Sequence, residues 1–135
     1  MLSLIGIRQY ISDLNITDDS NVYIGKLDNK KQKSIGVYNR KSEGALNVPL
    51  GGLKQSSYEV KGISLLVHWN RSVSDSEKVA YQLFNSLIAS EGVKIDGKNI
   101  YYIRFNTSGP VDVGTDSNGV YEYVIWIDFI YERKS

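Results

Sequence analysis

Two stretches of the chain alternate between apolar and other side chains, and this period of two predicts β-strands. In Tyr58 to Trp69 one face carries Ile63, Leu65, Val67 and Trp69. In Val120 to Tyr131 one face is wholly aromatic or aliphatic: Tyr121, Tyr123, Ile125, Ile127, Phe129 and Tyr131. The other face is mixed: Val120, Glu122, Val124, Trp126, Asp128 and Ile130. We expect both apolar faces to lie in the core, beneath helices.

Apolar residues at three- and four-residue steps predict two amphipathic helices. Ser3 can cap the first helix, whose apolar stripe is Leu4, Ile7, Ile11 and Leu14. The second helix is predicted over Ser74 to Ser90, where Ser74 and Glu77 form a capping box. Gly92 follows it and can take the left-handed conformation that ends a helix.

Shorter strands complete the pattern. Strand-forming residues predict strands over Asn21 to Leu27 and Ser34 to Arg40, joined by a solvated hairpin tip at Asp28 to Lys33. Near the end, Val93 to Ile95 and Ile100 to Phe105 flank the turn that begins at Asp96-Gly97 and ends at Asn99. The order α-β-β-β-α-β-β predicts an α+β fold, with a mainly antiparallel mixed sheet and two helices on one face.

Composition narrows the classes of function. A chain of 135 residues has the length of a single domain. Sixteen basic and fifteen acidic residues give a net charge of +1, which excludes an overall attraction to nucleic acid or anionic membrane. The absence of cysteine excludes disulfides and thiolate chemistry. Met1 to Ile7 lacks the features of a signal peptide, and no membrane-spanning run follows, so we expect a cytoplasmic origin.

Candidate catalytic and metal-binding residues do not form a constellation. His68 is the only histidine, so a histidine metal pair or a serine–histidine pair would depend on that one residue. Glu122 and Asp128 share a strand face but lie about 20 Å apart along it, too far apart to bind the same metal ion. Gly51-Gly52-Leu53-Lys54 lacks the spacing of a phosphate-binding loop. We therefore predict no catalytic, cofactor-binding or metal site.

Tyrosine and tryptophan give the remaining compositional signal, with ten and two residues respectively. These residue types are enriched at protein interfaces. The mixed face of the last strand predicts a subunit interface, for which the candidates are His68, Val124, Trp126 and Asp128. The glycine-rich stretch Lys41 to Ser57 and the polar stretch Asn106 to Gly119 are predicted to be long docking loops. Their candidate contact residues are Leu46, Val48, Leu50, Val111, Asp112 and Asp116.

Several short motifs occur in a recognisable order. They are Val22-Tyr23-Ile24-Gly25, Ile35-Gly36-Val37-Tyr38, Tyr58-Glu59-Val60-Lys61-Gly62-Ile63, the capped helix, and Gly109 to Gly119 followed by Tyr121-Glu122-Tyr123. This order resembles the minor capsid, or tail-terminator, proteins of long-tailed bacteriophages and prophages. The resemblance covers nearly the whole chain.

The resemblance implies a structural virion protein without catalytic residues or cofactors. Its copies would form a ring, commonly hexameric, at the head-proximal end of the tail tube, where they stop tube polymerisation and join tail to head. The implied partners are other copies of the chain, the tail-tube protein and a head-completion or connector protein, with passing contact with DNA in the lumen and no membrane. The alternatives are a small bacterial enzyme or nucleic-acid-processing protein with a carboxylate site, and an adaptor that forms no ring.

Overall fold

The computed structural model describes residues 2–25, 31–40 and 58–133. These residues form two α-helices and seven strands, which confirms the predicted α+β class. The helices are α1 (Leu4–Asp13) and α2 (Val73–Ile88), and a short 3₁₀ turn covers Asp19–Asn21. The strands are β1 (Val22–Ile24), β2 (Ser34–Asn39), β3 (Tyr58–His68), β4 (Lys94–Ile95), β5 (Lys98–Phe105), β6 (Val111–Thr115) and β7 (Tyr121–Glu132).

The strands form one sheet in the order β1-β2-β3-β7-β5-β4, with β6 also paired to β7. Strands β3 and β7 run antiparallel along their whole length, from Tyr58 opposite Glu132 to His68 opposite Glu122. On its other side β7 pairs with β5 from Ile127 onward, and with β6 before that. The long last strand is therefore central in the sheet.

The first two strands correct one prediction. Strand β1 pairs with β2 in parallel, with Val22 opposite Ile35 and Ile24 opposite Val37. Parallel strands need a crossover connection, because a tight turn reverses the chain direction. The hairpin tip predicted at Asp28 to Lys33 is therefore wrong, although residues 28–30 of that stretch lie outside the described part.

The core lies between the sheet and the two helices. The predicted inward residues Ile63, Leu65 and Val67 of β3 are fully buried. So are Ile125, Ile127 and Phe129 of β7, which confirms the assignment of that face. The helices add buried residues from their apolar stripes: Ile7, Ile11, Ala80, Leu83, Phe84 and Leu87. The face with Val124 and Trp126 therefore points away from the helices.

The N-cap of helix α2 lies two residues before its predicted position, Ser74. Ser72 is the N-cap, and its hydroxyl accepts a hydrogen bond from the Asp75 amide at 3.2 Å. Asn70 supports the cap by accepting from the Ser72 amide at 2.9 Å. Ser74 lies inside the first turn, so the predicted Ser74 cap is wrong. The helix ends at Ile88, and Gly92 has a φ of +63°, in the predicted left-handed conformation.

The β4–β5 turn also ties the sheet to α1. Asp96 and Gly97 have φ angles of +54° and +74°, as a two-residue hairpin with two left-handed positions requires. The Asp96 carboxylate accepts from the Ser3 amide at 2.7 Å and from its hydroxyl at 2.8 Å. These bonds lower the pKa of Asp96. Ser3 in turn caps α1 through the Gly6 amide, as predicted.

Strand β6 lies within the stretch predicted to be a polar loop. Val111 pairs with Val124, and Thr115 with Tyr121, across a register shift between Asp112 and Gly114. The Asp112 carboxylate accepts from the Gly114 amide at 2.8 Å, which supports the irregular backbone. The five residues of β6 include an aspartate and a glycine, both of which are uncommon in strands, so the sequence gives only a weak β-strand signal here.

Candidate subunit interface

The sheet face that α1 and α2 leave uncovered is called the helix-free face. From β7 it carries Val124, Trp126 and Asp128, which alternate with core residues. The strand register places Ser64 of β3 opposite Trp126 and Gly62 opposite Asp128. On the other side of β7, Arg104 of β5 is opposite Asp128. The small residues on β3 leave room for the larger side chains of β7.

Asp128 is fully buried and lies between two arginines. Its Oδ1 atom is 2.9 Å from Nη2 of Arg40, and its Oδ2 atom is 2.8 Å from Nη2 of Arg104. Arg104 Nε donates a second bond to Oδ2 at 3.0 Å. This two-point contact fixes the plane of the Arg104 guanidinium. Asp128 therefore positions Arg104, and its own carboxylate does not reach the surface.

Three exposed side chains gather around this ion cluster. Tyr102 is 56% exposed, Trp126 is 38% exposed, and the Arg104 side chain is 44% exposed. Because Arg104 is opposite Asp128, the register places it diagonally beside Trp126, with Tyr102 two positions along β5. We call Tyr102, Arg104 and Trp126 the aromatic–arginine patch. Tryptophan, tyrosine and arginine are the residues most enriched among interface hot spots.

A backbone irregularity helps to form the patch. The pairing of β5 with β7 shifts between Ile100 and Tyr102, so Tyr101 is the extra residue of a bulge. Bulges change the direction of nearby side chains. As a result Tyr101 and Tyr102 are both exposed, at 55% and 56%. Sequence reasoning placed Trp126 here but missed Tyr102 and Arg104. The alternation of Tyr102 with Ile103 in a predicted strand was the available signal.

The structure brings His68 and Asp116 together, away from the patch. His68 is fully buried, with Nε2 2.8 Å from Asp116 Oδ2 and Nδ1 2.9 Å from the Lys31 carbonyl oxygen. Asp116 also accepts from the backbone amides of Asn118 and Val120, at 2.8 Å and 3.0 Å. The His68 hydrogen bond is the main cause of the lowered pKa of Asp116. His68 thus holds the β6–β7 turn in place and is not a surface contact in the free chain.

The other candidate contacts divide into two groups. Val111 is half-buried and pairs with Val124, while Asp112 is exposed on β6. Leu46, Val48 and Leu50, the candidates of the first predicted loop, lie outside the described residues. Of the four predicted interface residues, Trp126 is exposed, Val124 is half-buried, and His68 and Asp128 are buried.

Among the described residues, no three histidine or carboxylate side chains lie close enough together to bind a metal ion. Glu122 of β7 is opposite His68 of β3, and burial raises the pKa of Glu122. Within the same residue ranges, neither α1 nor α2 is long and apolar enough to cross a membrane. The exposed chemistry of the helix-free face is aromatic and cationic, which suits contact with another protein.

Comparison with known proteins identifies the family. A search among curated protein sequences found no match. A family model described as bacteriophage tail terminator protein matches residues 2–133, and so includes both helices, all seven strands and the aromatic–arginine patch. The family assigns the protein a structural role in a phage tail. This chain belongs to the bacteriophage tail terminator family.

Proposed function

We propose that copies of this protein form a ring at the head-proximal end of a phage tail, where the ring stops growth of the tail tube and joins the tail to the head. The observation that carries this proposal is the aromatic–arginine patch on the helix-free face, in a chain that matches the tail terminator family along nearly all its length. The partners are other copies of the chain, the tail-tube protein and a head-completion or connector protein, and the protein resides in the virion.

A closed ring requires that one surface of each copy meets a different surface of the next copy. The aromatic–arginine patch supplies one such surface. Arg104 is held by Asp128 before any partner arrives, so little side-chain freedom is lost on binding. Trp126 contributes a large rigid side chain with a hydrogen-bonding indole N–H. Together they supply a preorganised contact whose loss weakens assembly.

Alanine substitution tests the patch. We expect Trp126→Ala to weaken ring assembly by roughly tenfold or more, as loss of an interface hot spot does. The matched control is Tyr81→Ala, which removes an aromatic side chain of 46% exposure from α2. Native mass spectrometry and light scattering measure assembly, and circular dichroism reports on folding. Equal assembly by both variants would remove Trp126 from the interface.

Phage assembly tests the role itself. Particles produced without this protein should show overlong tails, or heads and tails that remain separate, under the electron microscope. Supplying the wild-type protein in trans should restore joined particles of normal tail length. Normal virions in the absence of the protein would refute both tail termination and head joining.

A further inference from the structure

The two edges of the sheet differ in whether their backbone hydrogen-bonding groups are blocked against an added strand. At the β1 edge, the carbonyl oxygen of Val22 accepts a hydrogen bond from Arg8 Nε at 3.0 Å. Arg8 is fixed there by an ion pair with Asp19 at 2.7 Å. A side chain of α1 thus occupies a backbone acceptor that another strand would need. Native proteins commonly block edge strands in such ways.

The opposite edge, at β5, is open. The Asn106 amide donates to the Trp126 carbonyl at 3.1 Å, so alternation turns the backbone groups of Phe105 and Ile103 away from β7. Strand β4 pairs only with Lys98 and Asn99. Within residues 2–25, 31–40 and 58–133, the outward N–H and C=O groups of Ile103 and Phe105 form no hydrogen bond. This stretch can accept a further strand.

A groove with both polar and apolar walls follows the open edge. It has a volume of about 310 Å³ and lies between β5 and the end of α2, where Leu87, Ile88, Ile103 and Phe105 contribute to its walls. Ile88 is 56% exposed beside it. A strand added to β5 would place every second side chain on this side of the sheet. The groove can therefore receive alternate side chains of that strand.

Strand β6 has properties complementary to this edge. It is exposed from Asp112 to Thr115, it carries Val113 at 50% exposure, and among the described strands it pairs with β7 alone. The two strands also differ in charge. Strand β5 contains Lys98 and Arg104 and no acid, whereas β6 contains the exposed Asp112 and no base. Opposite charges favour the pairing of one strand with the other.

We infer that β6 of a second copy of this chain adds to the open edge of β5. This inference rests on the proposed assembly of the protein with itself. Within one copy, β5 pairs with the later part of β7 and β6 with its earlier part, so the two strands occupy separate positions along the same side. Each copy then offers one acceptor edge and one donor strand. This is the heterologous contact that repetition converts into a ring.

A charge placed on β6 tests the contact without disturbing the core. We expect Val113→Lys to weaken self-association by at least about tenfold, since a lysine on an edge strand opposes strand addition. Val73→Lys is the matched control, because Val73 is 53% exposed and lies outside both strands. Sedimentation equilibrium measures both variants. Equal weakening by the two, or none by Val113→Lys, would overturn the inference.

Cross-linking identifies the paired strands directly. The chain has no cysteine, so Tyr101→Cys and Val113→Cys each create a single reactive site. A short bis-maleimide should link the two variants in a mixture and leave each variant alone largely unlinked. The amides of Ile103 and Phe105 should gain protection from hydrogen exchange on assembly, while those of Tyr102 and Arg104 are protected throughout.

The outcomes separate the two proposals. A ring with exposed Ile103 and Phe105 amides and no mixed cross-link would overturn the β5–β6 contact and leave the ring intact. A cross-linked dimer of fixed mass would support the contact and refute the ring. A protein that remains monomeric at high concentration and on tail tubes would refute both.

Discussion

Replacing Asp128 by asparagine tests whether this carboxylate neutralises the two arginines on the helix-free face. The substitution keeps the side-chain size, so it leaves no cavity, but it removes the charge that Arg40 and Arg104 share. Loss of one partner from a buried ion pair costs about 3–5 kcal/mol. Arg104 is 44% exposed and can regain water, whereas the Arg40 side chain is only 16% exposed. We therefore expect a cost at the lower end, about 3 kcal/mol.

Urea denaturation measures this cost. With a slope of about 1.5 kcal/mol per molar urea, the unfolding midpoint of Asp128→Asn should fall by about 2 M. Arg104→Met should cost less, about 1–2 kcal/mol, because Asp128 then keeps its bond with Arg40. Asp18→Asn is the matched control, since this exposed aspartate makes no capping bond, and it should stay within about 0.5 kcal/mol of wild type. A smaller loss for Asp128→Asn than for Arg104→Met would refute the reasoning.

Three further predictions concern single side chains: Ser72, Asp116 and Tyr131. Ser72→Ala should lower the free energy of unfolding by about 1 kcal/mol in thermal or urea denaturation, while Ser74→Ala changes it little, because only Ser72 caps α2. The pKa of Asp116 is lower in the folded state than in the unfolded chain, so the ionised carboxylate stabilises the fold above its unfolded pKa. This stabilisation is lost as the pH falls through the folded-state pKa. Asp116→Asn should therefore be less stable than wild type near pH 6 and lose less stability below about pH 4, and parallel acid titration curves would contradict this. Burial raises the pKa of Tyr131 to about 12, so spectrophotometric titration of Tyr131→Phe should lack the last phenol to ionise.

The long strands could be predicted because their periodicity reports burial directly. Alternating residues such as Ile63 and Leu65, or Ile125 and Ile127, can satisfy the hydrophobic effect only with that face inward. Other elements gave weaker signals. Strand β1 has three residues, too few to distinguish parallel from antiparallel pairing. The start of α2 was ambiguous because Ser72 and Ser74 each precede an acidic residue by three positions.

The candidate interface was only partly predictable for a different reason. Trp126 stood out by its position on a mixed face, whereas burial of Asp128 depends on arginines that are distant in sequence. Alternation assigns a residue to a face, but it does not show which long side chains from other strands cover that residue. The bulge that exposes Tyr102 is likewise a property of strand pairing and has no local sequence signature here.

The position of β7 has a consequence for how the surface can change. One edge of this strand is paired along its length with β3, and the other is divided between β5 and β6. Within one copy, substitutions on the outer side of β5 therefore leave the pairing of β6 unchanged, because the register of each strand is set independently against β7. Variants of this protein could alter the surface at one end of the shared strand while the surface at the other end stays constant. Because these two surfaces meet in the inferred contact between copies, a change at either end alters how well the contact fits, over a core that remains the same.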